Sequence, residues 1–92
     1  MGENTFDFGE AIRLMKAGAL VARSGWNGKG MFIFVTKGRT IPNNGERSFK
    51  HFDGDSVVLA DHIDMKAADG SYVSGWLASQ TDMLAEDWTV VA

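Results

Sequence analysis

The sequence has 92 residues, enough for one domain with a modest core, and it contains no cysteine, which excludes disulfides and thiolate metal sites. Nine basic and twelve acidic residues give a formal charge of -3, a balance that disfavours non-specific binding to nucleic acid. With neither a leader nor an apolar run long enough to cross a bilayer, we expect one unsecreted domain over residues 1–92. We also expect self-association, because so small a core leaves much apolar surface unburied.

The first predicted element is an N-terminal helix. Asp7 occupies an N-cap position, Glu10 follows at capping-box spacing, and Gly18 is placed to end the helix. Apolar residues recur between them at helical spacing, at Phe8, Ala11, Ile12 and Met15.

Short apolar runs then predict strands linked by turns. These are Leu20–Arg23, Met31–Thr36, Val57–Leu59, Ile63–Ala67, Ser71–Val73 and Trp88–Val91. A glycine-rich loop joins the first two as a hairpin, and Asp69-Gly70 is a strong hairpin signal later on. The polar stretch Asn43–Asp55 is predicted to be a mobile excursion.

Near the C-terminus, Ser79 or Thr81 is suited to cap one helical turn that runs through Leu84. The links are of hairpin length, and no strand-helix-strand spacing repeats. The predicted fold is therefore α+β, a small antiparallel β-sheet with an N-terminal α-helix packed on it and a short helix near the C-terminus.

Trp26 lies in the glycine-rich segment 24–30, a turn that is expected at the surface and therefore offers little burial to an indole. An indole in such a loop covers the core edge, meets another subunit or stacks on a ligand, and we favour a ligand because the loop offers Trp26 little core to join. Gly28 and the other glycines of this loop would let backbone amides approach a pyrophosphate, with Asn27 adding a side-chain donor and Lys29 a positive charge. Turn formation explains the glycines equally well.

Trp76 introduces the second candidate group. Ser79 and Thr81 are potential donors to phosphate, while Gln80 and Asp82 suit a base edge or a ribose hydroxyl. The same residue types cap helices for stability alone. We expect Trp76 and Trp26 to form two walls of one nucleotide pocket, although a half-buried core position suits Trp76 equally. Trp88 is expected in the core or at an interface.

Catalysis has little support in the sequence. Acidic pairs at 53/55, 61/64 and 86/87 are interpreted as solvated surface, and neither His51 nor His62 has a convincing partner. His62 and Asp61 are residue types that bind metals, but two such neighbours usually occur together by accident. No nucleophile elbow or His-Glu-x-x-His helix is present, so we expect neither an enzyme nor a bound cofactor or metal.

Several blocks of the sequence resemble one phage family. They are Phe8-Gly9-Glu10-Ala11, the segment from Gly25 to Met31, Met65-Lys66, Ala68-Asp69-Gly70 and the long segment from Trp76 to Trp88. These blocks are similar to those of the second type of Thoeris anti-defence protein. The resemblance covers Phe8–Phe34 and Ile63–Val90, and leaves out Lys37–Asp61.

The resemblance implies a non-enzymatic sponge, a protein that binds a messenger without converting it. Members of that family form homo-oligomers, reported as tetramers, and sequester glycocyclic ADP-ribose in the cytoplasm of the infected bacterial host. Some also hold the cyclic oligonucleotides of CBASS defence at a separate site. A small hydrolase of a cyclic nucleotide and a carbohydrate- or peptide-binding module remain alternatives. The predicted ligand-binding residues are Trp26, Asn27, Gly28, Lys29, Trp76, Ser79, Gln80, Thr81 and Asp82.

Overall fold

A computed structural model describes residues 4–26, 29–46 and 49–92. In chain order the described residues form α1 (Phe8–Lys16), β1 (Val21–Arg23), β2 (Phe32–Thr36), β3 (Arg39–Pro42), β4 (Ser56–Leu59), β5 (His62–Lys66), β6 (Tyr72–Val73), α2 (Gln80–Leu84) and β7 (Trp88–Val90). Five strands form an antiparallel sheet in the order β6-β5-β2-β1-β7, while β3 and β4 form a separate pair. The predicted α+β fold is confirmed.

Helix α1 begins and ends as its sequence indicates. The Asp7 carboxylate accepts a hydrogen bond from the Glu10 amide at 2.9 Å, which satisfies one of the free N–H groups of the first turn. Gly18 follows the helix at φ +106°, a left-handed conformation that glycine adopts without strain. Ala11 and Met15, four residues apart and therefore on one face, are both buried against the sheet.

The core lies between α1 and the five-stranded sheet. Val21 of β1 pairs with Ile33 of β2, which in turn pairs with Met65 of β5, so the three side chains lie side by side on one face. All three are buried, and Trp88 of β7 is fully buried beside them. Of the two predicted environments for Trp88, the structure places it in the core.

The hairpin of β3 and β4 contains a strand that was not predicted. Arg39–Pro42 carries one large apolar residue, Ile41, and ends in a proline, so its composition hides the strand. Beyond it, the Asn43 amide donates to the Asp55 carbonyl at 2.8 Å, and the Asn43 side chain donates to the Phe52 carbonyl at 3.1 Å. The described residues of the polar stretch Asn43–Asp55, 43–46 and 49–55, thus connect β3 to β4; the mobility of the stretch stays a prediction.

The C-terminal part follows the predicted order. The β5–β6 turn at Asp69-Gly70 is confirmed, with Gly70 at φ +90° and the Ala67 amide bonded to the Ser71 carbonyl at 2.9 Å. Helix α2 is a single short turn, and β7 returns along β1 with Ala22 opposite Thr89. This return brings the end of α2 against the loop that follows β1.

Candidate ligand-binding site

The first Ser-Gly-Trp loop, residues 24–26, follows β1 and is held by Asp87. The Gly25 amide donates to Asp87 Oδ2 at 2.8 Å, while Arg23 Nε donates to Asp87 Oδ1 at 2.8 Å. A Cβ added at Gly25 would lie 2.8 Å from the same carboxylate oxygen. Glycine is therefore needed for the carboxylate to reach this amide.

Arg23 extends the network to a second carboxylate. Its Nη1 donates to Asp82 Oδ1 at 2.9 Å, so one guanidinium joins the residue before β7 to helix α2. The hydrogen bond from Arg23 holds the pKa of Asp87 below its usual value, with burial opposing it. Burial raises the pKa of Asp82, but hydrogen bonds from Arg23, Trp26 and Ser79 outweigh it and leave that pKa lowered.

The Trp26 ring completes this corner of the molecule. Its Nε1 donates to Asp82 Oδ1 at 3.3 Å, and its ring centroid lies 5.3 Å from that of Trp88 in an edge-to-face arrangement. Trp26 is half-buried against the core. The expectation that the glycine-rich loop offers Trp26 little core to join is wrong, because the return of β7 beside β1 brings Trp88 under the loop.

The second Ser-Gly-Trp loop, residues 74–76, is held by β5. The Gly75 amide donates to Asp64 Oδ1 at 2.8 Å, and the Trp76 amide donates to the Ile63 carbonyl at 2.7 Å. The Trp76 ring is half-buried, with its centroid 6.3 Å from that of Trp26 at an interplanar angle of 66°. The two tryptophans that the sequence analysis paired are therefore neighbours in space.

Asp64 is a buried carboxylate whose partners are mostly uncharged. Only 1% of the residue is exposed, and its Oδ2 accepts hydrogen bonds from the hydroxyls of Thr36, at 2.6 Å, and Tyr72. The His62 Nε2 lies 3.2 Å from the same oxygen. Burial raises the pKa of Asp64, yet these donors and the Gly75 amide together keep it below the usual value.

Helix α2 presents the remaining predicted residues. Ser79 is its N-cap, with Oγ accepting from the Asp82 amide at 3.1 Å, so the capping prediction is confirmed for Ser79 rather than Thr81. The Trp88 indole donates to the Asp82 carbonyl at 3.0 Å, which fixes the turn on the core.

The structure therefore brings Trp26, Trp76 and Asp82 into one cluster, with Ser79 beside it. Lys29, Gln80 and Thr81 are exposed. Asn27 and Gly28 lie outside the described residues. The ligand-binding role of all these positions remains a prediction.

Three residues that hold the loops were not among the predicted ones: Arg23, Asp64 and Asp87. Asp64 and Asp87 were interpreted as solvated surface, which is wrong for Asp64, since only 1% of it is exposed, whereas Asp87 keeps 32% of its side chain exposed and is also bonded to the loop. Asp64 is a buried residue of β5, while the Asp87 carboxylate accepts a hydrogen bond from the Gly25 amide. The register of β1 and β7 would have identified the Arg23–Asp87 pair, because it sets Arg23 opposite Trp88 and hence next to Asp87.

The partner of His62 is Asp64, and not its neighbour in the sequence, Asp61. The expectation that His62 lacks a partner is wrong, since His62 and Asp64 lie on the same strand, two residues apart, and therefore on the same face. Its Nδ1 lies 2.8 Å from the Ala60 carbonyl. No group of three or more residues suited to hold a metal occurs in residues 4–26, 29–46 and 49–92.

Two grooves lie away from the tryptophan pair, and neither is lined by a predicted site residue. One, of about 530 Å³, is bounded by Asn4, Thr5, Phe6, Glu10, Leu14, Thr89 and Val90. The other, of about 280 Å³, is bounded by Ile12, Lys16, Val35, Lys37, Asp61, His62 and Ile63. Within the described part of the chain, neither helix has the length and apolar character needed to span a membrane.

Comparison with known proteins identifies the family. Residues 6–91 match the model of the Tad2-like family, described as the Thoeris anti-defense 2-like domain. The chain is also 40% identical over 85 residues to Thoeris anti-defense 2 of Bacillus phage SP01, which covers 92% of this chain and 93% of that protein. The match runs through the β3–β4 hairpin as well as the sheet. The chain thus belongs to the Thoeris anti-defense 2-like family, a membership that supports an anti-defence role.

Proposed function

We propose that the protein is a non-enzymatic sponge that sequesters a cyclic ADP-ribose-type messenger, glycocyclic ADP-ribose, and so blocks Thoeris defence. The observation that carries the proposal is the tryptophan pair, two half-buried indoles 6.3 Å apart with Asp82 bonded to one of them. A half-buried indole keeps part of its surface for a base, and stacking is worth about 1 to 3 kcal/mol per base in nucleic-acid complexes.

The state of the carboxylates supports binding rather than catalysis. A general base or acid at neutral pH needs a pKa shifted toward neutrality, whereas Asp64, Asp82 and Asp87 all have a lowered pKa. Each also accepts hydrogen bonds that hold the fold together. None of these three carboxylates therefore has the pKa that general acid or base catalysis at neutral pH requires, whereas a sponge needs only ground-state binding.

Self-association is the second part of the proposal, as a homo-oligomer and, by resemblance to the family, a tetramer. Leu77 is 89% exposed and Leu84 79% exposed, and both lie in or beside the segment that carries Asp82. Large apolar side chains so exposed favour burial against a partner. A second subunit there would enclose the ligand and strengthen its hydrogen bonds by excluding water.

The cellular setting follows from this proposal. The protein acts in the cytoplasm of the infected bacterial host, where the messenger is made, and binds no DNA or RNA polymer. Cyclic oligonucleotides of CBASS defence are further proposed ligands at a separate site. The affinity required to hold a messenger below the threshold of its effector is nanomolar, about 12 kcal/mol.

A retention experiment separates this function from its alternatives. Purified protein is incubated with glycocyclic ADP-ribose, freed of unbound ligand, denatured by heat, and the released material is analysed by mass spectrometry. Recovery of the intact messenger is the expected result. A changed mass would identify a hydrolase, and no retention of this or any cyclic oligonucleotide would leave the carbohydrate- or peptide-binding alternative.

A further inference from the structure

The second Ser-Gly-Trp loop has an anchor that the proposed function does not use directly. We propose that Asp64 is a positioning residue for Trp76, which fixes the loop backbone so that the indole faces Trp26. The inference rests on the proposed function, because it takes the tryptophan pair as the ligand site.

The two oxygens of the Asp64 carboxylate have separate tasks. Oδ1 accepts from the Gly75 amide at 2.8 Å, one residue before Trp76. Oδ2 accepts from the Thr36 and Tyr72 hydroxyls, which belong to β2 and β6. Asp64 itself lies on β5. Its carboxylate therefore links the loop, which bonds to Oδ1, with the neighbouring strands β2 and β6, which bond to Oδ2.

Few other contacts restrain the loop backbone. The preceding strand β6 has two residues and lies at the edge of the sheet, where Tyr72 is 62% exposed. Gly75 adopts φ +81° with open space where a Cβ would be. The amides of Gly75 and Trp76 are both bonded to β5, so these two consecutive hydrogen bonds fix the backbone from which the Trp76 ring packs on its aromatic neighbours.

A buried carboxylate is a costly means of filling space. An apolar side chain of similar size would occupy the same position without desolvating a charge. What the carboxylate adds is direction, because it accepts the Gly75 amide at one point and along one line. In the described part of the chain no buried polar side-chain atom lacks a partner, so this network is complete.

The test compares variants of the full chain that differ in which oxygen loses its partner. Asp64→Leu removes the acceptor of the Gly75 amide, while Thr36→Val removes a donor on the Oδ2 side and leaves Oδ1 with its partner. Asp64→Asn keeps an amide oxygen that can accept from Gly75. We expect Asp64→Leu to weaken binding of glycocyclic ADP-ribose at least tenfold and to alter the near-ultraviolet circular dichroism of the ligand-free protein. Thr36→Val and Asp64→Asn should each stay within about threefold of wild type, whatever their melting temperatures.

A second pair of variants is available if Asp64→Leu does not fold. Gly75→Ala strains the backbone of the loop at φ +81°, and its matched control Gly70→Ala imposes a similar strain at φ +90° in the β5–β6 turn. Both new methyl groups would enter open space. Weakened binding in Gly75→Ala alone is the expected result.

The outcomes distinguish this inference from the proposed function. If wild-type protein retains no messenger, the proposed function fails, and the near-ultraviolet spectra still report whether Asp64 orients the indoles. If wild type binds and affinity merely follows melting temperature across all the variants, Asp64 has a structural role only and the inference is wrong. Unchanged binding and spectra in Asp64→Leu would overturn it as well.

Discussion

The two Ser-Gly-Trp loops have the same three residues but are held by different chemistry. In each loop the glycine amide before the tryptophan donates to a carboxylate at 2.8 Å. For the first loop that carboxylate is Asp87, 32% of whose side chain is exposed and which is paired with a guanidinium. For the second loop it is Asp64, 1% exposed and bonded mainly to hydroxyl and amide groups.

This difference predicts different responses to solvent. The charges around Arg23 are partly accessible, so dissolved salt weakens their attraction. Asp64 is out of reach of salt but depends on remaining ionised in a buried place. The same local motif can therefore be anchored by a partly exposed ion-pair network or by a buried carboxylate, and mutation, salt and acid should separate the two anchors.

The largest effect is expected from Asp64→Ala. The change leaves the Gly75 amide and two hydroxyls without their shared acceptor, and each hydrogen bond to a charged group is worth about 1.5 to 3 kcal/mol. We expect the free energy of unfolding to fall by about 3 kcal/mol in urea denaturation, which is less than the sum of the three bonds because the change also removes the cost of desolvating a buried charge. Asp53→Ala, at an exposed position, is the control and should change it by less than about 0.5 kcal/mol. Similar values for both variants would contradict the assignment of Asp64 as an anchor.

Arg23→Gln should cost less, about 2 kcal/mol, because water can reach the two carboxylates that lose their cation. The difference from wild type should shrink when sodium chloride is raised from about 0.05 to about 1 M, where the Debye length falls to about 3 Å. The corresponding difference for Asp64→Ala should not change with salt. An equal salt response in both variants would remove the distinction between the two anchors.

Acid should weaken both loops. The folded-state pKa of Asp64, Asp82 and Asp87 lies below the ordinary value of about 3.9 that each has when unfolded. Their contribution is therefore complete only above about pH 5, one unit above the unfolded pKa, and is lost as pH falls through the lower folded-state pKa. Urea denaturation between about pH 7 and pH 2 should show a falling free energy of unfolding, and a shallower fall in Asp64→Asn. A free energy that rises in acid would have the wrong sign.

Ser79→Ala should have the smallest effect, a loss of about 1 kcal/mol from the missing N-cap of α2. Thr81→Ala, two residues on and exposed, is the matched control and should be nearly neutral for stability. Thermal denaturation followed by circular dichroism measures both. A larger loss in Thr81→Ala would show that the cap is assigned to the wrong residue.

The sequence predicts most of the fold because its local signals agree with each other. Asp7, Gly18, Ser79 and Gly70 each occupy the cap or turn that their chemistry favours. Strand β3 was missed because Arg39–Pro42 offers only one large apolar residue and pairs with β4 across a long connection. Such pairing is a tertiary property that propensity does not carry.

The candidate site was predictable only in part. Trp26, Trp76 and Asp82 were found by residue type, and the structure brings them together. Arg23, Asp64 and Asp87 were missed because each is defined by a partner from 11 to 64 residues away in the chain. A charged residue on or next to a short strand is predicted to be exposed, because the sequence does not show which backbone amide it will bond to.

The central claim is that the tryptophan pair binds the messenger, and one measurement tests it most directly. Retention of glycocyclic ADP-ribose is compared among wild type, Trp26→Ala and Leu14→Ala. Leu14 packs on the same core from α1 and lines the groove beside Thr89 and Val90, so it controls for lost stability. We expect Trp26→Ala to abolish retention while keeping its oligomeric mass, and Leu14→Ala to retain the messenger as wild type does. Equal retention by wild type and a folded Trp26→Ala would contradict the account.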